Sequence, residues 1–190
     1  MLKKIVVIGP ESTGKSTLCE QLALHYNTSW CPEFAREYLL KNGTRYNYDD
    51  LLTIAKGQLA LEDKYIKKVT TPHSRLPTHD SRSSAPNSLL FIDTDMYVMK
   101  VWSEYVFGKC PRFILDQLVE RKYDLYLLCN TDLPWVKDEL REYPDLESRR
   151  RLYHYYKDLM VNQDTPWEDI SGDQQERLQA AITATEKLLK

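Results

Sequence analysis

Apolar positions along this chain fall into two kinds of run. Short, unbroken runs of aliphatic residues occur at Ile5-Val6-Val7-Ile8, Leu89-Leu90-Phe91-Ile92 and Leu125-Tyr126-Leu127-Leu128-Cys129. Runs of this kind, with no polar alternation, suit strands buried on both faces of a parallel sheet. They predict strands over Lys3–Gly9, Leu89–Asp93 and Tyr123–Cys129, with shorter ones at Ser29–Cys31 and Trp167–Gly172. Elsewhere the apolar residues recur every three or four positions, which is the period of a helix with one buried face. That spacing predicts helices over Lys15–Tyr26, Phe34–Lys41, Tyr48–Val69, Tyr97–Phe107, Pro111–Arg121 and Gln174–Leu189. Asp49 and Asp50 stand where first-turn acids favour a helix start. Strands alternating with helices predict an α/β chain: a doubly wound parallel sheet of about five strands, with helices on both faces.

Two segments depart from this pattern. Thr70–Ser88 is rich in Pro, Ser, Thr, His and Arg and nearly free of apolar residues, which predicts an exposed, flexible loop. Leu133–Leu159 is charged and rich in arginine, and is expected to form a lid. At 190 residues without internal repeats, the chain is expected to form one domain over 1–190.

Composition narrows the partners. The formal net charge is −2, so there is no basic footprint for nucleic acid, and a small anion would need only a local positive pocket. No apolar run approaches the roughly 18–20 residues of a membrane span, so no membrane association is expected. The 4 cysteines show no Cys-x-x-Cys spacing and no signal peptide precedes them; the expectation is buried, reduced thiols in a cytoplasmic protein. A homo-oligomer is compatible with the sequence, which carries no signal for one.

The most informative stretch is Gly9-Pro10-Glu11-Ser12-Thr13-Gly14-Lys15-Ser16. Holding a polyphosphate takes several backbone N–H groups aimed at one anion, a lysine for the outer phosphates and a hydroxyl for magnesium. The Gly-x-x-x-x-Gly-Lys-Ser spacing supplies all three, between a buried strand and an amphipathic helix whose N-terminus adds its positive dipole end. Gly9, Glu11, Ser12, Thr13, Gly14, Lys15, Ser16 and Thr17 are therefore the expected binding set for ATP, with Lys15 on the β/γ phosphates and Ser16 on Mg2+. The fold expected is that of a P-loop NTPase, and the chemistry phosphotransfer.

Ligands of a doubly wound sheet sit at the carboxyl ends of its strands. Glu33 follows the second strand there, and Asp93 and Asp95 follow the third. Transfer to a hydroxyl requires one group to accept its proton and another on the magnesium side. Asp93, directly after a run of four apolar positions, is the expected metal acid; Glu33 is a candidate base, with Arg36 one turn on to hold it or an acceptor hydroxyl. The competing assignment for Glu33 and Asp95 is helix capping. In the arginine-rich segment, Arg141 and Arg149 are candidates to bring positive charge onto the transferring phosphoryl group, whereas Arg150 and Arg151 fit a solvated face. Gly172, at the end of the last expected strand, lies where backbone contacts would cradle adenine. Tyr46, Tyr97, Trp102 and Trp135 fall near the acceptor side, suited to stacking on a nucleobase or a cationic pyridinium, or to packing. The histidines show no metal-ligand spacing.

Five blocks, in order, carry a family resemblance. They are the phosphate loop extended to Thr17-Leu18, Pro32-Glu33-Phe34-Ala35-Arg36-Glu37-Tyr38, Phe91-Ile92-Asp93-Thr94-Asp95, Tyr123-Asp124-Leu125-Tyr126-Leu127-Leu128, and Asp132-Leu133-Pro134-Trp135-Val136 continuing to Asp138 and Leu140-Arg141. With these the chain resembles the ribosylnicotinamide kinase domain of NadR-type proteins. The resemblance implies ATP- and magnesium-dependent phosphorylation of nicotinamide riboside at its 5′ hydroxyl, giving nicotinamide mononucleotide. It implies Glu33 as base or ribose anchor, Asp93 as magnesium acid and Asp95 as a ribose contact, with Arg36, Trp135 and Arg141 completing the pocket. Multifunctional members also carry a His-x-Gly-His adenylyltransferase site and sometimes a DNA-binding helix-turn-helix. This sequence has no His-x-Gly-His, so adenylylation and transcriptional control are not expected. The alternatives are another nucleoside kinase, or a P-loop ATP-binding regulatory module with no small acceptor.

Overall fold

The computed structural model describes residues 1–71, 89–137, 139–140 and 142–190. Most of the Thr70–Ser88 segment, together with Asp138 and Arg141, lies outside the described residues. In chain order the elements are β1 (Lys3–Ile8), α1 (Lys15–His25), β2 (Ser29–Cys31), α2 (Phe34–Asn42), α3 (Tyr48–Thr70), β3 (Leu89–Asp93), α4 (Met96–Phe107), α5 (Arg112–Glu120), β4 (Leu125–Cys129), α6 (Leu146–Val161), β5 (Trp167–Ile170) and α7 (Gln174–Leu189). The strands form one sheet in the order β2-β3-β1-β4-β5, and every pairing is parallel. This is the doubly wound sheet that the unbroken apolar runs predict.

Side chains along β1 alternate between two cores. Ile5 and Val7 join Phe91 and Leu127 beneath α1 and α7, where Leu18, Cys19, Leu22, Ala181 and Ile182 close the layer. Val6 and Ile8 join Leu90, Ile92 and Leu128 on the other face, covered by Val98 and Val101 of α4 and by Leu152, Tyr153, Tyr156 and Met160 of α6. A third cluster packs α2, α3, α4 and α5 together through Ala35, Leu51, Ile54, Met99 and Ile114. Burial on both faces explains why the central strands read as uninterrupted apolar runs.

The segment expected to be a lid divides in two. Residues 130–137 and 142–145 carry no helix or strand, but α6 is a core helix, with Leu152, Tyr153, Tyr156 and Met160 on its buried side. Arg149 sits on that buried side at 2% exposure and donates from Nη2 to the carbonyls of Thr131 (3.0 Å) and Leu133 (3.1 Å). Here the helix period outweighs the charged composition: four large apolar residues on one stripe decide the packing, and the charges other than Arg149 lie away from it.

One buried polar group ties the lower end of the sheet to its helices. Glu62 of α3 is fully buried and meets Lys4 Nζ (3.3 Å), Arg121 Nη1 (3.3 Å) and the Tyr123 hydroxyl, which donates to it at 2.8 Å. Removing the carboxylate would leave two part-buried cations and a buried phenol without their shared acceptor. Glu62→Ala is therefore expected to lower the unfolding free energy by roughly 3 kcal/mol, read as an earlier midpoint in urea denaturation.

Candidate active site

Two glycines shape the loop between β1 and α1. Gly9 takes φ +139, and a Cβ there would stand 2.7 Å from the Cys129 carbonyl oxygen, so the chain leaves β1 pressed against β4. Gly14 caps α1 in the left-handed region, at φ 77. Between them Ser12 also has a positive φ of 57. These turns wrap the backbone around the start of α1, the arrangement in which amide N–H groups and the helix dipole converge on an anion. The Lys15 ammonium folds back to donate to the Pro10 carbonyl at 2.9 Å. Ser16 Oγ donates to Asp93 Oδ2 at 2.5 Å, joining the loop to the end of β3.

The loop forms one side of a cavity of about 380 Å³. Its wall continues from Gly9–Thr17 to Glu33, Arg36 and Asp93, and then to an aromatic end with Trp30, Tyr46, Trp102, Tyr105, Tyr143 and Tyr156. A volume of this size is in the range of small-molecule sites. Of the sequence-predicted residues, the structure brings together Gly9, Glu11, Ser12, Thr13, Gly14, Lys15, Ser16, Thr17, Glu33, Arg36 and Asp93.

Burial governs the acids. Glu33 opens partly into the cavity but is surrounded by protein; burial, then the charge of Asp93, pushes its carboxyl up to about 7 against the pull of Lys15 and Arg36. Asp93 is fully buried, and burial raises it too, opposed by Lys15 and by hydrogen bonds from Ser16 and Thr94. A buried carboxylate beside a serine hydroxyl, at a helix N-terminus, offers hard oxygen ligands. Among the described residues no cluster of three or more His, Cys, Asp or Glu could hold a metal alone. The donor pair of Ser16 and Asp93 is of the kind that suits an ion such as magnesium, which takes one or two protein oxygens and completes its shell with phosphate and water.

Three expected residues stand away from the cavity wall. Asp95 is fully buried and caps α4: Oδ1 accepts from Tyr97 N (2.9 Å) and Val98 N (3.4 Å), while Oδ2 accepts from the Tyr126 hydroxyl (2.9 Å). In this arrangement both oxygens are engaged, and the geometry is that of the capping assignment rather than of a ribose contact. Thr94, at φ 76, turns the chain between the two aspartates. Trp135 lies on the loop after β4, half-buried, with an indole Nε1 that has no hydrogen-bond partner among the described residues. Gly172 takes φ +94, its N–H donating to Asp132 Oδ2 at 2.5 Å.

The loop after β4 fastens to the phosphate loop through side chains whose roles spacing did not reveal. Glu11 accepts from the backbone N–H groups of Glu142 (2.9 Å) and Tyr143 (2.6 Å), and Ser12 Oγ accepts from Val136 N (3.0 Å). Tyr46 receives a hydrogen bond from Trp102 Nε1 (2.8 Å) and donates to Glu142 (2.9 Å). Arg177 was not legible as a site residue, since nothing in α7 marks it. It donates to the carbonyls of Thr13, Asn130 and Gly172, each at 2.9 Å, and pairs with Asp132. One buried guanidinium so joins the phosphate loop to the loops after β4 and β5.

A family model described as an AAA domain matches residues 4–177. The "Trifunctional NAD biosynthesis/regulator protein NadR" of Escherichia coli (strain K12) is 24% identical over 159 residues, 84% of this chain and 36% of that protein. The chain thus spans about a third of the length of that curated relative. Among solved structures, NadR protein in complex with NR superposes with a TM-score of 0.72 at 22% identity, covering 98% of this chain and 50% of the other. NadR protein in complex with NAD and AMP-PNP gives 0.68 at 22% identity, covering 98% and 49%. The structural likeness shows a shared fold, and the resemblance carried by the five sequence blocks points to the same proteins.

The burial of Asp95 makes a signed prediction. Its folded value, pushed up to about 7 chiefly by burial, exceeds the unfolded value near 4. The native state then binds more protons than the unfolded chain between about pH 4 and 7, so stability falls as pH rises through that window. Asp95→Asn keeps an acceptor for the α4 cap and removes the charge. It is expected to raise stability at pH 7 on the order of 2 kcal/mol and to flatten the decline between pH 5 and 7, measured by thermal melting across that range.

Proposed function

The chain belongs to this AAA-domain family, and from that premise we propose that it is an ATP-dependent kinase that phosphorylates nicotinamide riboside on its 5′ hydroxyl, giving nicotinamide mononucleotide. The observation that carries the reading is the composition of the cavity beyond the phosphate loop. Among the described residues, six aromatic rings line it with Glu33, Asp93 and Glu142, and Arg36 is the cation outside the phosphate loop. Aromatic faces and carboxylates favour a flat cation such as a pyridinium ring. The same wall would repel the dianion of a nucleoside monophosphate, which favours an unphosphorylated riboside as acceptor. Two solved complexes support the two substrates: NadR protein has been solved with NR, and with NAD and AMP-PNP.

On this reading the donor phosphates occupy the turn formed by Gly9 to Thr17. Lys15 leaves the Pro10 carbonyl for the outer phosphate oxygens, exchanging one acceptor for a more negative one. Glu33 holds the acceptor's 5′ hydroxyl and takes its proton as the phosphoryl group transfers. A base whose value lies near neutrality suits that task, since it is substantially ionised yet basic enough to accept a proton. Ser16 and Asp93 are the residues that would hold magnesium, which when bound offsets negative charge on the phosphates. The loop fastened by Glu11 and Ser12 closes over the phosphate turn and excludes water from the transfer.

ADP release with ATP, magnesium and nicotinamide riboside tests this directly, with thymidine and uridine alongside. Turnover on nicotinamide riboside, with the mononucleotide identified by mass, is the expected result. Turnover confined to another riboside would discard the acceptor, and ATP binding without turnover on any of them would discard the kinase. Lys15→Ala is expected to abolish turnover. Glu33→Gln should lower kcat on the order of a hundredfold; if Glu33→Gln is nearly silent while Asp93→Asn collapses activity, the base role passes to Asp93.

A further inference from the structure

Glu33 and Asp93 reach the cavity from the ends of different strands, and a side chain of α3 that does not line the cavity joins them. Gln58 is 1% exposed. Its Oε1 accepts from Phe34 N at 2.7 Å, while Nε2 donates to the Pro32 carbonyl at 3.3 Å and the Asp93 carbonyl at 3.4 Å. Pro32 and Phe34 are the neighbours of Glu33 on either side. One amide thus grips the backbone on both sides of one acid and the backbone of the other. A primary amide offers an acceptor and donors in a single plane, and these bonds, with a longer one from Nε2 to Cys31 Sγ (3.8 Å), draw on both.

The preceding residue supplies an independent observation. A Cβ on Gly57 would lie 2.1 Å from the Phe34 ring. Without a side chain at 57, the ring rests directly on α3, and its backbone N–H comes within reach of Gln58. Glycine in a helix interior costs stability relative to alanine, so its presence here has a packing reason. Gly57 seats the turn and Gln58 fixes it to the end of β3.

We infer that Gln58 is a positioning residue that sets the placement of Glu33 relative to Asp93, an inference that rests on the kinase reading of these two acids. It acts through the backbone and contacts neither substrate. Losing its bonds would free the Pro32–Phe34 turn to shift against β3, which changes the approach of base to acceptor hydroxyl while the phosphate loop stays intact. Displacements of about 1 Å at such a site cost on the order of a hundredfold in rate.

Two variants of near-equal volume test it. Gln58→Met removes every polar arm, and Gln58→Glu keeps the acceptor for Phe34 N while losing the paired donors. Both are expected to lower kcat by about tenfold to a hundredfold while KM for ATP and for the acceptor stay within about threefold of wild type. ATP affinity by equilibrium titration should be unchanged. A kcat within about twofold of wild type in either folded variant would overturn the assignment, as would losses of kcat, ATP affinity and thermal stability in parallel, the signature of a merely structural role. Should Gln58→Met fail to fold, Gln58→Glu decides. If wild-type protein is silent on nicotinamide riboside, the substrate reading fails, and the ratio of wild-type to variant ADP release with water as acceptor still decides the role of Gln58.

Discussion

The parallel register of β1 between β3 and β4 is the constraint from which the site follows. It sets Val7 opposite Asp93 and Ile8 opposite Leu128, so three strands end together. The chain leaving β1 must then turn beside β4, where the Cys129 carbonyl leaves no room for a Cβ on Gly9. That turn delivers Ser16 to Asp93, and α1 begins with its N-terminus facing the same edge. The sheet is held by ordinary apolar burial on both faces. Its function comes from what that burial forces to meet at one end.

Placing acids there works against stability, and the fold shows where the strain is held. Asp93 and Asp95 are both fully buried, two residues apart, and burial raises both. Thr94 adopts φ 76, a region that β-branched residues rarely occupy, and the turn it makes separates their tasks. Asp93 stays with Ser16 at the cavity, while Asp95 drops onto the first turn of α4 and the Tyr126 hydroxyl. Strain of this kind persists only where the surroundings over-determine it. Here they do so through the β1–β3 ladder on one side and the helix cap on the other.

Long-range polar clamps complete the arrangement. Arg177 gathers the loops after β1, β4 and β5 around one guanidinium, and Gln58 gathers the ends of β2 and β3 around one amide. Both groups are nearly inaccessible to water, where a hydrogen bond is strong and an unmade one is costly. Such clamps confer definition on loops that apolar packing alone would leave free to slide. Glu11 and Ser12 add a lighter fastening, through backbone N–H groups of the loop that follows β4.

The sequence by itself determined the layers and the phosphate loop. Uninterrupted runs such as Leu89–Ile92 identify strands buried on both sides, and Gly9, Gly14, Lys15 and Ser16 follow a spacing dictated by local backbone geometry. β2, β3 and α7 match the expected bounds residue for residue, because each is bracketed by an abrupt change in composition or by a cap such as Asp173. The α6 stripe was masked by its charges, and the lid expectation extended into a core helix for that reason. Only the tertiary structure decided which acids share the cavity. The apolar run before Asp93 marks it as the metal-side acid, while the sequence leaves Asp95 between a ribose contact and a helix cap; a single left-handed residue, Thr94, sends them to different partners. Gln58 and Arg177 lie in mid-helix with no local pattern to mark them. Their partners are 24 to 35 residues away for Gln58 and 164 for the most distant partner of Arg177, a separation that periodicity and motif spacing, being local, cannot register.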